Sequence, residues 1–131
     1  RSHGKRLPSY SEFAALAYGT TEASSRVTES ATTQMSTTDD NFTSKWGVIQ
    51  STGCMYIWGN HFGGGTAASS WNTTITDGRG SVYAIENVAR HGGYWGQGNA
   101  SGSRNSIWTQ NPGYSSSSIG GRGVCNHLIV D

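Results

Sequence analysis

Four histidines, two cysteines and several glycine-rich turns are the residues that could do chemistry in this 131-residue chain. His3, His61, His91 and His127 share no HxxH or HxH spacing, and no cysteine or carboxylate sits beside them, so they form no metal-ligand pattern. Cys54 and Cys125 form no CxxC and are too few for a disulfide-built mini-domain. They read as two buried or semi-buried thiols, with one long-range disulfide as the alternative. A nucleophile elbow needs GxSxG, which neither Gly102-Ser103-Arg104 nor Ser51-Thr52-Gly53 supplies. Gly63-Gly64-Gly65 lacks the Lys-Ser/Thr of a phosphate loop, and Gly96-Gln97-Gly98-Asn99 lacks a third glycine and a following helix. Asp39-Asp40 alone cannot supply the six or more oxygens that calcium takes. Eight acidic residues in the whole chain leave little room for a paired acid/base site. The expectation is a protein that is not an enzyme, with no catalytic residue, no cofactor and no metal site.

Composition points elsewhere. Nineteen Gly, 19 Ser and 14 Thr disfavour long helices and suit a loop-rich fold. Disorder would share that bias but would not carry five Trp, six Tyr and three Phe. Aromatics bury the most area per residue and can nucleate a core between irregular segments. A net charge of +1 gives no footprint for nucleic acid. No apolar run approaches the roughly 20 residues of a membrane span, so no membrane insertion is expected. One domain over 1–131 is expected at this length. The start, Arg1-Ser2-His3-Gly4, shows no secretory signal and no initiator Met, so the chain reads as cut from something longer or as carrying a cloning scar. Asn41-Phe42-Thr43, Asn72-Thr73-Thr74 and Asn99-Ala100-Ser101 match the glycosylation sequon at the rate this composition produces by chance.

The elements that must position any site are few. Ser9-Tyr10-Ser11-Glu12 is a capping box, and Tyr10, Phe13, Ala14 and Ala17 follow at helical spacing until Gly19. This predicts a helix over 10–18. Residues 20–44 read as a long polar surface loop. Order is expected again from Lys45-Trp46-Gly47-Val48-Ile49. Cys54-Met55-Tyr56-Ile57-Trp58, between Gly53 and Gly59, reads as a buried strand, and Gly63-Gly64-Gly65 as a turn. Further strands are expected at Ser81–Ile85 and across Arg122–Val130. With one amphipathic helix, short strands and long loops, the class is α+β. The helix should lay Phe13, Ala14 and Ala17 on the strand containing Tyr56 and Trp58.

The informative segment is 92–123. If Tyr94 to Ala100 is extended, Tyr94, Gly96, Gly98 and Ala100 share one side and Trp95, Gln97 and Asn99 the other. Likewise Ile107 and Thr109 oppose Trp108. Large Trp residues on one side and small or mixed residues on the other suggest a fixed scaffold beneath a permissive surface. Tyr, Ser, Gly and Asn are also what antibody loops use to contact partners. An ordinary Gly/Ser-rich loop has the same composition.

Particular residues carry a resemblance. Gly92-Gly93-x-Trp95, Gly102-Ser103-Arg104, Trp108, Pro112 and Ile119-Gly120-x-Arg122-Gly123-Val124-Cys125-Asn126-His127-Leu128 resemble the C-terminal variable region of phage proteins diversified by a retroelement. Leu7–Phe13, Phe42–Gly47 and Trp58-Gly59-Asn60-x-Phe62-Gly63-Gly64-Gly65 are similar to the same receptor-binding family, so the likeness covers most of the chain and is weakest over 20–41. The family pattern has Asp where this chain has Asn126. The resemblance implies a C-type lectin-like fold, with a small twisted antiparallel sheet, two helices and a loop-rich half bearing the variable residues. It implies a homotrimer on the virion tail fibre that attaches to a bacterial surface receptor, most often a protein. It also implies binding without the calcium-centred sugar site of true C-type lectins. The sequence agrees, since it has no Glu-Pro-Asn, Gln-Pro-Asp or Trp-Asn-Asp.

Diversification in that family randomises adenines in template codons, chiefly AAC-type Asn codons, which yield Asn, Ser, Thr, Tyr, Gly, Ala, Ile and Asp but not Trp, Gln, Lys or Met. Tyr94, Gly96, Gly98, Ala100, Ile107, Thr109, Tyr114, Ser116 and Ser118 are therefore the candidate ligand-binding positions. Asn99, Asn105 and Asn111 could be unmutated template, and Gln97 and Gln110 fall outside the code. Trp95, Arg104, Trp108 and Arg122 are expected as scaffold, with Trp95, Arg104 and Trp108 largely buried. Two other functions share the fold: a calcium-independent carbohydrate-binding lectin domain, and a relative of formylglycine-generating enzymes. The second needs a reactive cysteine pair, whereas Cys54 and Cys125 look like packing residues.

Overall fold

The computed structural model describes residues 4–26, 40–63 and 87–125. Chain order is β1 (Lys5–Arg6), α1 (Tyr10–Leu16), β2 (Tyr56–Gly63), β3 (Asn87–His91), β4 (Ser106–Gln110), β5 (Ile119–Gly120) and β6 (Val124–Cys125). Short 3-10 turns stand at Asp40–Phe42 and Gly98–Ala100. Four strands form one sheet in the order β4-β3-β2-β5, and β1 pairs with β6 beside it. The expected antiparallel sheet is in fact mixed, because β2 runs parallel to β5. Parallel neighbours cannot be joined by a hairpin, so the chain must travel to return in that sense. One α-helix, not two, is present among the described residues.

The first turn of α1 forms as its sequence requires. The Ser9 hydroxyl accepts the Glu12 N–H at 3.3 Å, and the Glu12 carboxylate accepts the Ser9 N–H at 2.9 Å. Arg6 donates to both oxygens of that carboxylate, at 2.6 and 2.5 Å. This hydrogen-bonded pair, with the Ser9 N–H, holds Glu12 down to about 2. The helix ends at Leu16 with Ala17 as its cap, two residues short of the expected limit.

Strand alternation decides what α1 covers. Across the sheet, Ile57 lies opposite His91 and Gly120, and His91 opposite Ser106. These side chains share one face. There Phe13, Ala17 and Ile57 form the apolar cluster, with Leu16 against it. The helix therefore does pack on β2, with Phe13 at 0% exposure, but through Ile57 and not through Tyr56 and Trp58. Those two point to the other face, because alternate residues of a strand must. His91 completes the helix side, at 0% exposure, stacked on Phe13 at 5.3 Å and tilted against Tyr10 at 5.7 Å. Gly59 makes room for it, since a Cβ there would stand 2.3 Å from His91 Nε2.

Other expectations shift by a few residues or more. The strand expected from Cys54 starts at Tyr56; Cys54 makes only an isolated bridge with Tyr94. Gly59 lies inside β2, where the register shifts between Trp58 and Phe62, and does not bound it. Lys45–Ile49 is turn and loop, with Trp46 68% exposed. The last strand is seen as Val124–Cys125 paired with β1. Its expected continuation through Val130, the strand at Ser81–Ile85 and much of the 20–44 loop lie outside the described residues. Neither cysteine forms a disulfide; Cys54 is buried and Cys125 exposed, so the expected burial fails for Cys125 on the two-stranded β1–β6 ribbon.

Two outcomes follow from this core. Gly59→Ala should cost about 1–3 kcal/mol by driving a methyl into His91, read by denaturant unfolding. Burial, with His61 nearby, also pulls the His91 pKa down from 6.5 to about 4. The folded state thus refuses a proton that the unfolded chain accepts. Stability should be full above pH 6.5 and fall by roughly 2–4 kcal/mol as the pH drops towards 4. Glu12, held low in the native state, adds a separate loss between its ordinary value of 4.5 and about 2. Unfolding free energies across pH should show a clearly smaller slope between pH 6.5 and 4 in His91→Gln, whatever that variant's absolute stability.

Candidate functional site

The face of the sheet away from α1 carries Tyr56, Trp58, Arg90, Ile107 and Ile119. Ile119 lies opposite Tyr56, and Arg90 opposite both Trp58 and Ile107. At its centre the Arg90 guanidinium sits 4.4 Å from the Tyr56 ring centroid. Burial lowers the Arg90 pKa and raises that of Tyr56. The Tyr56 hydroxyl hydrogen-bonds to the Gln97 side-chain carbonyl. The Tyr94 ring tilts against Tyr56 at 5.4 Å and meets Trp95 edge-on at 5.4 Å. From β4 on one edge the chain must reach β5 on the other, so residues 111–118 cross the sheet. Tyr114, exposed on that segment, lies within electrostatic range of Arg90.

The segment 94–100 is not extended, as expected from its alternation, but a turn followed by the 3-10 helix Gly98–Ala100. Backbone tethers cause this. Trp95 N–H donates to the Cys54 carbonyl at 3.2 Å. The Ser25 hydroxyl donates to the Trp95 carbonyl at 2.8 Å and accepts the Gly98 N–H at 2.9 Å. Just upstream, Gly92 and Gly93 both have positive φ, and a Cβ on Gly93 would stand 2.2 Å from Ser101 Oγ. Glycine alone lets the chain fold back that tightly. Glu22 then accepts the Ser103 N–H at 2.9 Å and also its hydroxyl. Residues 20–26, read from sequence as the start of a loose loop, thus support the turns above them.

Of the nine candidate surface positions, Gly96, Ala100, Thr109 and Tyr114 are exposed, and Tyr94, Gly98, Ile107, Ser116 and Ser118 half-buried. Tyr94 and Gly96 adjoin, since a Cβ on Gly96 would stand 2.9 Å from the Tyr94 ring. Tyr94 approaches the Arg90–Tyr56 pair from the 94–100 turn, Tyr114 from the crossing segment. Ile107 and Thr109 alternate with Trp108 along β4. Ser116 and Ser118 share a hydroxyl hydrogen bond of 2.9 Å on the way into β5.

The scaffold residues divide. Arg122 is half-buried and donates to the Ile49 carbonyl and, at 3.3 Å, to that of Gln50. Trp95 is half-buried. The expected burial fails for Trp108, 37% exposed, and for Arg104, which is exposed. Trp108 stands on edge strand β4, against His61 at 5.2 Å with its indole N–H on Ser106, and an edge strand has a neighbour on one side only. Arg104 lies in a turn whose carbonyl, not side chain, is engaged, accepting from the Tyr10 hydroxyl at 3.2 Å. Sequence reasoning missed Arg90, Tyr56, Glu22 and Ser25. The alternation of Val88 and Arg90 with Ala89 and His91 was the available signal for Arg90.

Trp108→Ala should cost about 1 kcal/mol, well under the 3–5 of a fully buried Trp. Ser103→Ala should cost about 1–3 kcal/mol by leaving Glu22 short of a donor. Thermal melts of the two variants check both.

No family model matches the chain. Among curated proteins it is 51% identical to a tail fibre receptor-binding protein of Bordetella phage BPP-1, over 98% of this chain and 35% of that protein. Among solved structures it superposes on the major tropism determinant U1 variant with a TM-score of 0.78 at 48% identity, covering 98% of this chain and 35% of that one. For the M1 variant the TM-score is 0.77 at 46% identity, covering 98% and 36%. The chain thus spans about a third of the length of these relatives. It is a homologue of that third of the major tropism determinants, phage tail-fibre receptor-binding proteins, and has their C-type lectin-like fold.

Proposed function

We propose that this chain is a single receptor-binding domain, without enzymatic activity, that attaches a phage tail fibre to a receptor on the bacterial surface, most often a protein. The observation that carries this is the homology to receptor-binding proteins over 98% of the chain, joined to a sheet face on which Tyr94 leans against Tyr56 and near which Tyr114 is exposed. The variable segment is 92–123, and its nine candidate positions are the ones diversified by a retroelement. Support comes from how the turns are held: tethers reach backbone atoms at Trp95, Gly98 and Ser103, and the Ser103 hydroxyl that Glu22 also holds is not a candidate position, so the candidate side chains can change without releasing these tethers. A pre-ordered surface also avoids the entropy of ordering loops on contact.

The domain acts in the virion as a homotrimer. Tyr18 and Trp46, 58% and 68% exposed on neighbouring backbone, supply apolar area suited to a subunit contact. A patch of this size is small for a tight interface, so each protomer binds weakly and trimerisation adds avidity.

Tyr concentrates area and a hydroxyl at low entropy cost, which makes Tyr94 and Tyr114 the hot spots. In an adsorption assay on receptor-bearing cells, Tyr114→Ala should lose most attachment with a nearly unchanged melting temperature. Tyr94→Ala should lose it too, at about 1–2 kcal/mol of stability from the ring contacts it gives up. Full attachment by the double variant would remove these residues from the site.

A further inference from the structure

Arg90 is the least satisfied group on the display face. It is 7% exposed, and its Nε is buried without a hydrogen-bond partner. Among the described residues its guanidinium meets no carboxylate; the ion pair there is Arg6 with Glu12. What it has is the Tyr56 ring, 4.4 Å away. A ring face attracts the charge but accepts none of the five N–H donors in a defined direction. A buried, unpaired charge is expensive, and burial accordingly lowers the Arg90 pKa. The side chain cannot relax far, because β3 is hydrogen-bonded on both sides and Tyr56 is itself anchored by Gln97.

The surroundings define what would complete it. Tyr94 leans on Tyr56 at 5.4 Å, and Tyr114 lies close enough to act on Arg90. Neither hydroxyl is hydrogen-bonded to a described residue, so both can donate. The groups that bear on Arg90 are the Tyr56 ring, 4.4 Å away, and the Tyr114 phenol, both neutral at pH 7. One guanidinium between aromatic walls matches a single planar carboxylate, which it can grip with two parallel hydrogen bonds. A phosphate or a polyanion would call for more positive charge.

We infer that Arg90 is a fixed anion-recognition residue beneath the variable tyrosines, and that it takes one carboxylate from an Asp or Glu side chain of the receptor protein. This rests on the receptor-binding reading above. Arg90 lies two positions before the 92–123 segment, so it stays while its walls vary. Variation would then tune which acidic residue, in which context, reaches the same cation.

The test has two arms. In the first, the Arg Nε–Hε resonances of the isotope-labelled protein are followed by NMR against sodium acetate, with sodium chloride at matched ionic strength as control. One resonance should shift saturably with acetate, and it should be the one missing in Arg90→Lys. An unresponsive Arg90 resonance, or one already shifted because a carboxylate of the protein itself fills the site, overturns the inference. In the second arm, attachment to receptor-bearing cells should fall at least tenfold in both Arg90→Lys and Arg90→Gln, with near-UV circular dichroism unchanged. Prior protease treatment of the cells should abolish wild-type attachment. Loss with glycosidase alone would place the carboxylate on a glycan and overturn the protein assignment. If wild type attaches and Arg90→Gln attaches equally, this inference fails and the receptor-binding reading stands. If wild type attaches to no cells, that reading fails, and the acetate arm alone decides whether Arg90 is an anion site.

Discussion

Strand β2 lies between β3 and β5, and successive residues Tyr56, Ile57 and Trp58 must point to opposite faces of the sheet. Everything else accommodates that alternation. Ile57 needs apolar cover, and α1 provides it with Phe13 and Ala17. His91 is carried to the same side by its pairing with Ile57, where only the missing side chain of Gly59 lets it fit. Tyr56 goes the other way and becomes the floor on which Arg90 and Tyr94 rest. One side of the sheet is thereby a core, and the other carries the Arg90–Tyr56 pair with Tyr94 against it.

A domain this poor in apolar residues cannot hold long turns by burial alone. It holds them by polar tethers from segments that look unimportant in sequence. Glu22 and Ser25 reach the 94–104 turns, while Arg122 clamps the carbonyls of Ile49 and Gln50. Such hydrogen bonds contribute only about 1 kcal/mol each but cost more when one partner is left buried and unpaired. They therefore specify conformation more than they stabilise the fold. Several end on backbone, at the Trp95 carbonyl and the Gly98 and Ser103 N–H groups, while Glu22 also holds the Ser103 hydroxyl.

The cost of this arrangement falls on buried polar groups. His91 is neutral in a site that repels its proton, and Arg90 is charged in a site where no described carboxylate pairs it. The first makes the core sensitive to acid. The second leaves a buried Nε without a partner among the described residues on the face away from α1, and the two sit at adjacent positions of one strand, facing opposite ways.

By itself the sequence determined the elements whose signals are local. The capping box at Ser9–Glu12 is a matter of four residues, and the α1 face of Phe13 and Ala17 follows from helical period. The alternation of Ile107, Trp108 and Thr109 follows from the period of a strand. The Arg-Gly-Val-Cys ending carried the family and with it the fold. Tertiary structure alone decided which strand face α1 would cover, because alternation names two faces without saying which is inside. It alone decided that Tyr94–Ala100 would turn, since the groups that bend it, Ser25 and the Cys54 carbonyl, lie 40 or more residues away in the chain. It also left Trp108 and Arg104 in solvent, one on an edge strand and one in a turn, although their residue types suggested scaffold. Burial depends on what packs opposite, and no local pattern encodes that neighbour.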